Sequence, residues 1–142
     1  MTRSELIFVL LALTCFIVGC KPQEESYIWQ PLRVTATAYN SLAPQTNGNP
    51  NVAAWGDTLT PGMKCIAVSN DLYKKGLKHN TPVKIEGFEG IYLVKDKMHS
   101  KWENRIDIYM GVDVQLAKTW GRKKVTIQFG IPLPPTTDTI SK

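Results

Sequence analysis

Two aspartates carry the strongest chemical signal in this 142-residue chain. Asp107 follows Asp96 by eleven residues and sits in Asn104-Arg105-Ile106-Asp107-Ile108-Tyr109. The stretch Gly90–Met110 reads as strand, loop and strand, centred near Lys101 and Trp102. A hairpin-like unit of that kind would set the two carboxyls opposite each other. Two carboxylates brought close cannot both ionise easily, so one holds its proton near neutral pH and can act as a general acid. An aspartate in mid-strand is disfavoured by propensity and needs something to hold it. Arg105 shares its face and opposes the pKa rise. The alternative role for Asp107 is a structural salt bridge with Arg105 or a lysine.

A second candidate chemistry is a thiol, Cys65, with His79 or His99 as base. Cys65 lies in Lys64-Cys65-Ile66-Ala67-Val68, where a small inward hydrophobe is expected, so it reads as a core cysteine. One such cysteine and two isolated histidines give no metal-ligand spacing. A third set suits sugar binding. Tyr39, Trp55 and Trp102 offer ring faces for stacking and Gln45 offers an amide for hydroxyls, with Thr37 and Tyr109 completing the candidate substrate-binding residues. Tyr39 and Trp55 would serve equally well in a core. Trp102 lies in a polar loop.

These residues must be positioned by short strands. Leu32–Tyr39 alternates, with Val34, Ala36 and Ala38 opposite Thr35, Thr37 and Tyr39. Lys64–Val68, Pro82–Glu86, Gly90–Asp96, Arg105–Met110 and Lys124–Phe129 complete six. One helix is predicted over Val114–Trp120, with Asp113 as N-cap and Gly121 closing it. A shorter helical turn is predicted after Ser69-Asn70-Asp71, ending at Gly76. The counts predict a mainly β fold: a small closed barrel with one or two short helices and no open edge.

The ends read differently. Leu6–Val18 is a 13-residue run of apolar residues and threonine, short of the roughly 20 needed to span a bilayer and suited to a signal peptide over residues 1–19. Ile17-Val18-Gly19-Cys20 looks like a bacterial lipobox, which makes Cys20 the lipidated first residue of the mature chain. Lys21 follows, which by that resemblance favours the outer membrane, facing the periplasm of the bacterial envelope. Cys15 would leave with the leader, so only Cys65 would remain as a thiol and no intrachain disulfide could form. Residues 20–31 read as a lipid-anchored linker, 32–130 as the barrel domain, and the Pro- and Thr-rich residues 131–142 as a loose tail. Lys and Arg number 17 against 12 Asp and Glu, a formal net charge of +5. In an exported protein this suits an anionic envelope polymer, a lipid surface or plain solubility rather than nucleic acid. At 43 % hydrophobic and 20 % charged residues, the chain is neither wholly disordered nor collagen-like. Its length excludes a multi-domain enzyme with its own nucleotide-binding domain.

The stretches Val34-Thr35-Ala36-Thr37-Ala38-Tyr39-Asn40, Ala54-Trp55-Gly56, Leu59-Thr60-Pro61-Gly62 and Ile66-Ala67-Val68 come in a telling order. Gly76-Leu77, Val83-Lys84-Ile85-Glu86-Gly87, the Asp96/Asp107 pair and Trp120-Gly121-Arg122-Lys123-Lys124-Val125-Thr126 follow. Together they resemble the three-aspartate (3D) domain over roughly residues 32–129. That domain is a double-psi β-barrel related to rare lipoprotein A and to the catalytic part of membrane-bound lytic transglycosylase A. The resemblance implies cleavage of peptidoglycan glycan strands between N-acetylmuramic acid and N-acetylglucosamine, with a 1,6-anhydro product and no cofactor or metal. It gives Asp107 the role of acid and then base, and Asp96 that of tuning it or steadying oxocarbenium charge. The first family aspartate is replaced by Ser69; Asp71 either takes over that place as a third catalytic carboxyl or caps the helical turn. The loop Lys97-Met98-His99-Ser100-Lys101-Trp102-Glu103 is bulkier and more basic than the family's Thr-Gly-Gly-like one. Two other functions stay open: a glycan- or envelope-binding module without catalysis, and a hydrolytic glycosidase.

Overall fold

The structure is a computed structural model that describes residues 26–40 and 52–134. The expected leader, the Cys20 lipidation site and Gln45 lie outside the described residues. Six strands and two short helices make up the described chain. They are β1 (Tyr27–Tyr39), β2 (Cys65–Val68), α1 (Asn70–Lys74), β3 (Pro82–Ile85), β4 (Tyr92–Lys97), β5 (Arg105–Tyr109), α2 (Val114–Trp120) and β6 (Lys123–Pro132). The strands close into a barrel in the order β1-β5-β2-β4-β3-β6. β1 pairs with β5 and β2 with β4 in parallel, and the other four seams are antiparallel. This mainly β barrel with two short helices is consistent with the double-psi architecture.

Alternation fills the interior. Val34 and Ala36 of β1, Ile66 and Val68 of β2, Val83 and Ile85 of β3, Val94 of β4, Ile106 and Ile108 of β5, and Val125, Ile127 and Phe129 of β6 form one buried cluster. Leu72 of α1 and Leu77 close an end of it, each fully buried. At about 25 cal/mol per Å2 of apolar surface, a fully buried branched side chain contributes roughly 1.5–3 kcal/mol. A second, smaller cluster of Ala53, Leu59, Cys65 and Tyr109 forms outside the barrel wall.

Three sequence expectations are corrected. β4 and β5 are not a hairpin, because β2 lies between them. β1 starts at Tyr27 rather than Leu32, and β6 runs on to Pro132. The two extensions pair with each other, Tyr27 opposite Pro132, Ile28 opposite Ile131 and Trp29 opposite Gly130. Proline at the edge of each extension and the polar residues beyond them concealed these strands, and the exposure of Ile28 and Ile131 leaves no buried face to reveal a period. The α2 expectation holds in detail: the Asp113 side chain accepts from the Leu116 N–H at 2.8 Å, and Gly121 ends the helix at φ 70°.

Candidate active site

Register sets the site. Thr37 of β1 pairs with Asp107 of β5, Asp107 with Ala67 of β2, and Ala67 with Asp96 of β4. Thr37, Asp107, Ala67 and Asp96 thus form one row across four adjacent strands. The row lies on the outer face, because Ile106, Ile108, Ile66 and Val68 take the inner one. With Val94 inward, strict alternation would turn Asp96 inward too. A bulge prevents this. Ile66 pairs with Val94 and Ala67 with Asp96, so Lys95 is the extra residue. The bulge re-aims Asp96 to the face of Asp107, a common use of bulges beside functional sites. Two strand spacings put the two aspartate Cα atoms roughly 10 Å apart.

Between them, Ala67 leaves a cleft of about 160 Å3, lined by Tyr39, Ala67, Asp96, Lys97, Met98, His99, Trp102 and Asp107. Burial pushes the Asp107 carboxyl up from 3.8 to about 6. The Thr37 hydroxyl and Arg105 pull it down, and the Asp96 charge adds a smaller push upward. The rise is therefore made chiefly by desolvation, not by carboxylate pairing as the sequence suggests. Its Oδ1 is buried without a hydrogen-bond partner, as is the Tyr39 hydroxyl. Burial and the neighbouring Cys65, Asp96 and Asp107 push the Tyr39 phenol far above its ordinary value, so it stays a neutral donor. Two orphaned polar atoms at one cleft are the kind of exception that a ligand satisfies.

Asp96 is held from behind. Its Oδ1 accepts the N–H of Ala54 and of Lys97, each at 2.8 Å. The opposite wall comes from the 97–104 loop. Trp102 stands there with the Arg105 guanidinium 3.9 Å from its ring centroid. The His99 Nδ1 accepts the Lys101 N–H at 3.2 Å.

The remaining candidates fall away from the cleft. Asp71 lies in the first turn of α1 and does not line it. Its carboxylate accepts the Ser69 hydroxyl at 2.6 Å and the Asn104 N–H at 3.0–3.1 Å. Burial alone would raise its pKa, but these bonds and those from its own helical N–H groups outweigh it and hold the carboxyl below the usual range. Ser69 is fully buried and links the assembly, accepting the Arg105 N–H at 3.1 Å. Ser69 and Asp71 thus fasten the start of β5, two residues before Asp107. Trp55 packs with Tyr73 and His79, at 5.8 and 4.9 Å between centroids. Its neighbour Asp57 takes Lys95 at 2.7 Å and His79 at 2.5 Å. The Trp55 loop is thereby pinned to the bulge residue and props the Ala54 N–H behind Asp96. Tyr109 is buried against Tyr39 with centroids 5.4 Å apart. Thr37 also borders a neighbouring pocket of about 300 Å3 under α2.

Cys65 is fully buried. Desolvation, with the Asp96 charge, pushes its thiol up to about 12, which removes the thiolate that nucleophilic chemistry needs. Among the described residues no three His, Cys, Asp or Glu side chains are grouped to hold a metal ion. Lys97 and Met98 are the lining residues that sequence reasoning did not select, and only their place in the loop after Asp96 marked them; His99, weighed as a base for Cys65, lines the cleft instead.

No family model matches the chain, and no curated protein matches it. Among solved structures, the crystal structure of an apo expansin from Clavibacter michiganensis is similar at 17 % identity with a TM-score of 0.44. The alignment covers 75 % of this chain and 52 % of that one, so the chain spans about half the length of that structure.

Proposed function

We propose that the cleft cleaves a glycan as a lytic transglycosylase acting on peptidoglycan strands in the bacterial envelope. One observation carries the reading: the buried Asp107 carboxyl, at about 6, with its Oδ1 unpaired on a cleft beside a second carboxylate. Protonated Asp107 gives its proton to the oxygen linking N-acetylmuramic acid to N-acetylglucosamine. The carboxylate left behind then takes the proton of the muramic C6 hydroxyl as that oxygen closes the 1,6-anhydro ring. General acid–base help of this kind supplies about 10²–10⁴-fold. Asp96, oriented by the Ala54 and Lys97 N–H groups, faces the positive charge that develops on the sugar ring. The Tyr39 hydroxyl donates to a sugar oxygen, and the Trp102 face borders the ring. No step calls on a cofactor.

Purified sacculi digested with the protein should release muropeptides ending in 1,6-anhydro-muramic acid, identified by mass. Reducing-end products would replace the mechanism with hydrolysis. The small volume of the cleft, about 160 Å3, favours a second reading, a module that binds glycan without cutting it. Folded protein that sediments with sacculi and yields no product, as wild type and as an Asp96→Asn/Asp107→Asn double variant, would establish that reading instead.

A further inference from the structure

Arg105 is only 9 % exposed. Its guanidinium stands over the Trp102 ring, 3.9 Å from the centroid. An arginine withdrawn from water stays charged and keeps five donors to satisfy. Among the described residues no carboxylate pairs with it, the ion pairs there being Asp57 with Lys95 and Asp57 with His79. Glu103, beside Trp102 in sequence, is exposed and joins neither. What stands nearby is more positive charge. Arg122 is close enough to repel the Arg105 guanidinium, and the Lys101 Nζ lies 5.0 Å from the same Trp102 centroid. Trp102 in turn lines the cleft. Two cations, Arg105 and Lys101, therefore share one ring at the site's edge, with Arg122 repelling the first of them. The opposing charge acting on Arg105 is Asp107, a carboxyl that is protonated below about 6. An anion from outside would relieve this arrangement. A planar guanidinium suits a carboxylate, which it can bind through two parallel bonds.

We infer that Arg105, Arg122 and Lys101 form, at the Trp102 edge of the cleft, a subsite for a carboxylate borne by the glycan, so that strands carrying stem peptides are taken in preference to bare ones. The inference rests on the proposal that the cleft receives a muramyl glycan, and it names which form of that glycan fits. Electrostatic complementarity of this sort sets partner choice more than raw affinity.

The test compares two preparations of glycan strands, one bearing stem peptides and one stripped of them by an amidase. Binding to the full-length protein is measured at low and high salt, and cleavage products are followed in the same samples. Peptide-bearing strands should bind roughly tenfold tighter at low salt, with the advantage shrinking as salt rises. Arg122→Gln, an exposed substitution, should cut that advantage severalfold and leave binding of stripped strands unchanged. Arg105→Lys, which keeps the charge but loses the planar fork, should do the same. Equal binding of the two preparations, or a preference untouched in Arg122→Gln, overturns the subsite. So would binding to phosphatidylglycerol vesicles that falls in Arg122→Gln while strand binding holds, since the anion would then be a lipid headgroup. A preference that persists without any cleavage product sustains the subsite and removes the lytic reading. Equal binding accompanied by anhydro products does the reverse.

Discussion

At the scale of single residues, the raised pKa of Asp107 costs the fold stability. Its folded-state pKa, about 6, exceeds the ordinary 3.8. The folded protein therefore binds more proton than the unfolded chain between those two values. Stability should fall as pH rises from about 4 to about 6, then stay at the lower level. Asp107→Asn removes that slope, and at pH 7 should leave the fold more stable by at most about 3 kcal/mol. Melting temperatures across pH 4–8 test this. The same variant should lose at least about 100-fold in anhydro-product formation. Wild-type activity should fall close to tenfold per pH unit above about 6, since the proposed mechanism starts only from protonated Asp107. Ser69→Ala probes a different role. It leaves the buried Arg105 N–H without its acceptor and takes the hydroxyl donor from Asp71. Urea denaturation should show a loss of about 1–3 kcal/mol, with activity reduced because β5 begins at that clamp.

At the scale of elements, the bulge at Lys95 decides whether there is a site. Inward Ile106 and Ile108 could be read from alternation, and with them the outward Asp107. The α2 cap at Asp113 was equally legible, since a side-chain acceptor before an apolar helix is a local signal. The partnership of Asp96 with Asp107 was visible as spacing, but its geometry was not. Nothing in Gly90–Met110 announces that β2 will insert between the two strands, because that follows from closure of the whole barrel. Nor does the sequence announce that one extra residue turns Asp96 outward. The pull between burial and Arg105 on the Asp107 carboxyl was likewise open in sequence, because burial is a property of the assembled wall. Ala67 is the small residue on which the row depends, 5 % exposed between the two aspartates. Ala67→Leu should fill the cleft floor. Glycan cosedimentation and product release should both be lost, while the far-ultraviolet circular dichroism stays that of a β-barrel. A variant that still turned over at the wild-type rate would move the reaction elsewhere on the molecule.

At the scale of the whole molecule, the barrel closes through β1 and β6, the first and last strands. Proline-bearing stretches at both ends looked like linker and tail, yet Tyr27–Pro31 and Ile131–Pro132 lie in the seam. A chain starting at Leu32 keeps most of the interior cluster but exposes an unpaired β6 edge. It should melt at a lower temperature than the full chain and scatter more light on heating, both measurable on one sample. The same seam governs presentation. Tyr27 and Pro132 lie side by side where the chain enters and leaves the barrel, whereas Thr37 and Tyr39, toward the cleft, stand at the opposite end of β1. Twelve residue steps along a strand reach at most about 40 Å. Whatever grips either end of the chain therefore holds the barrel by its foot, with Asp107 and the cleft at the head.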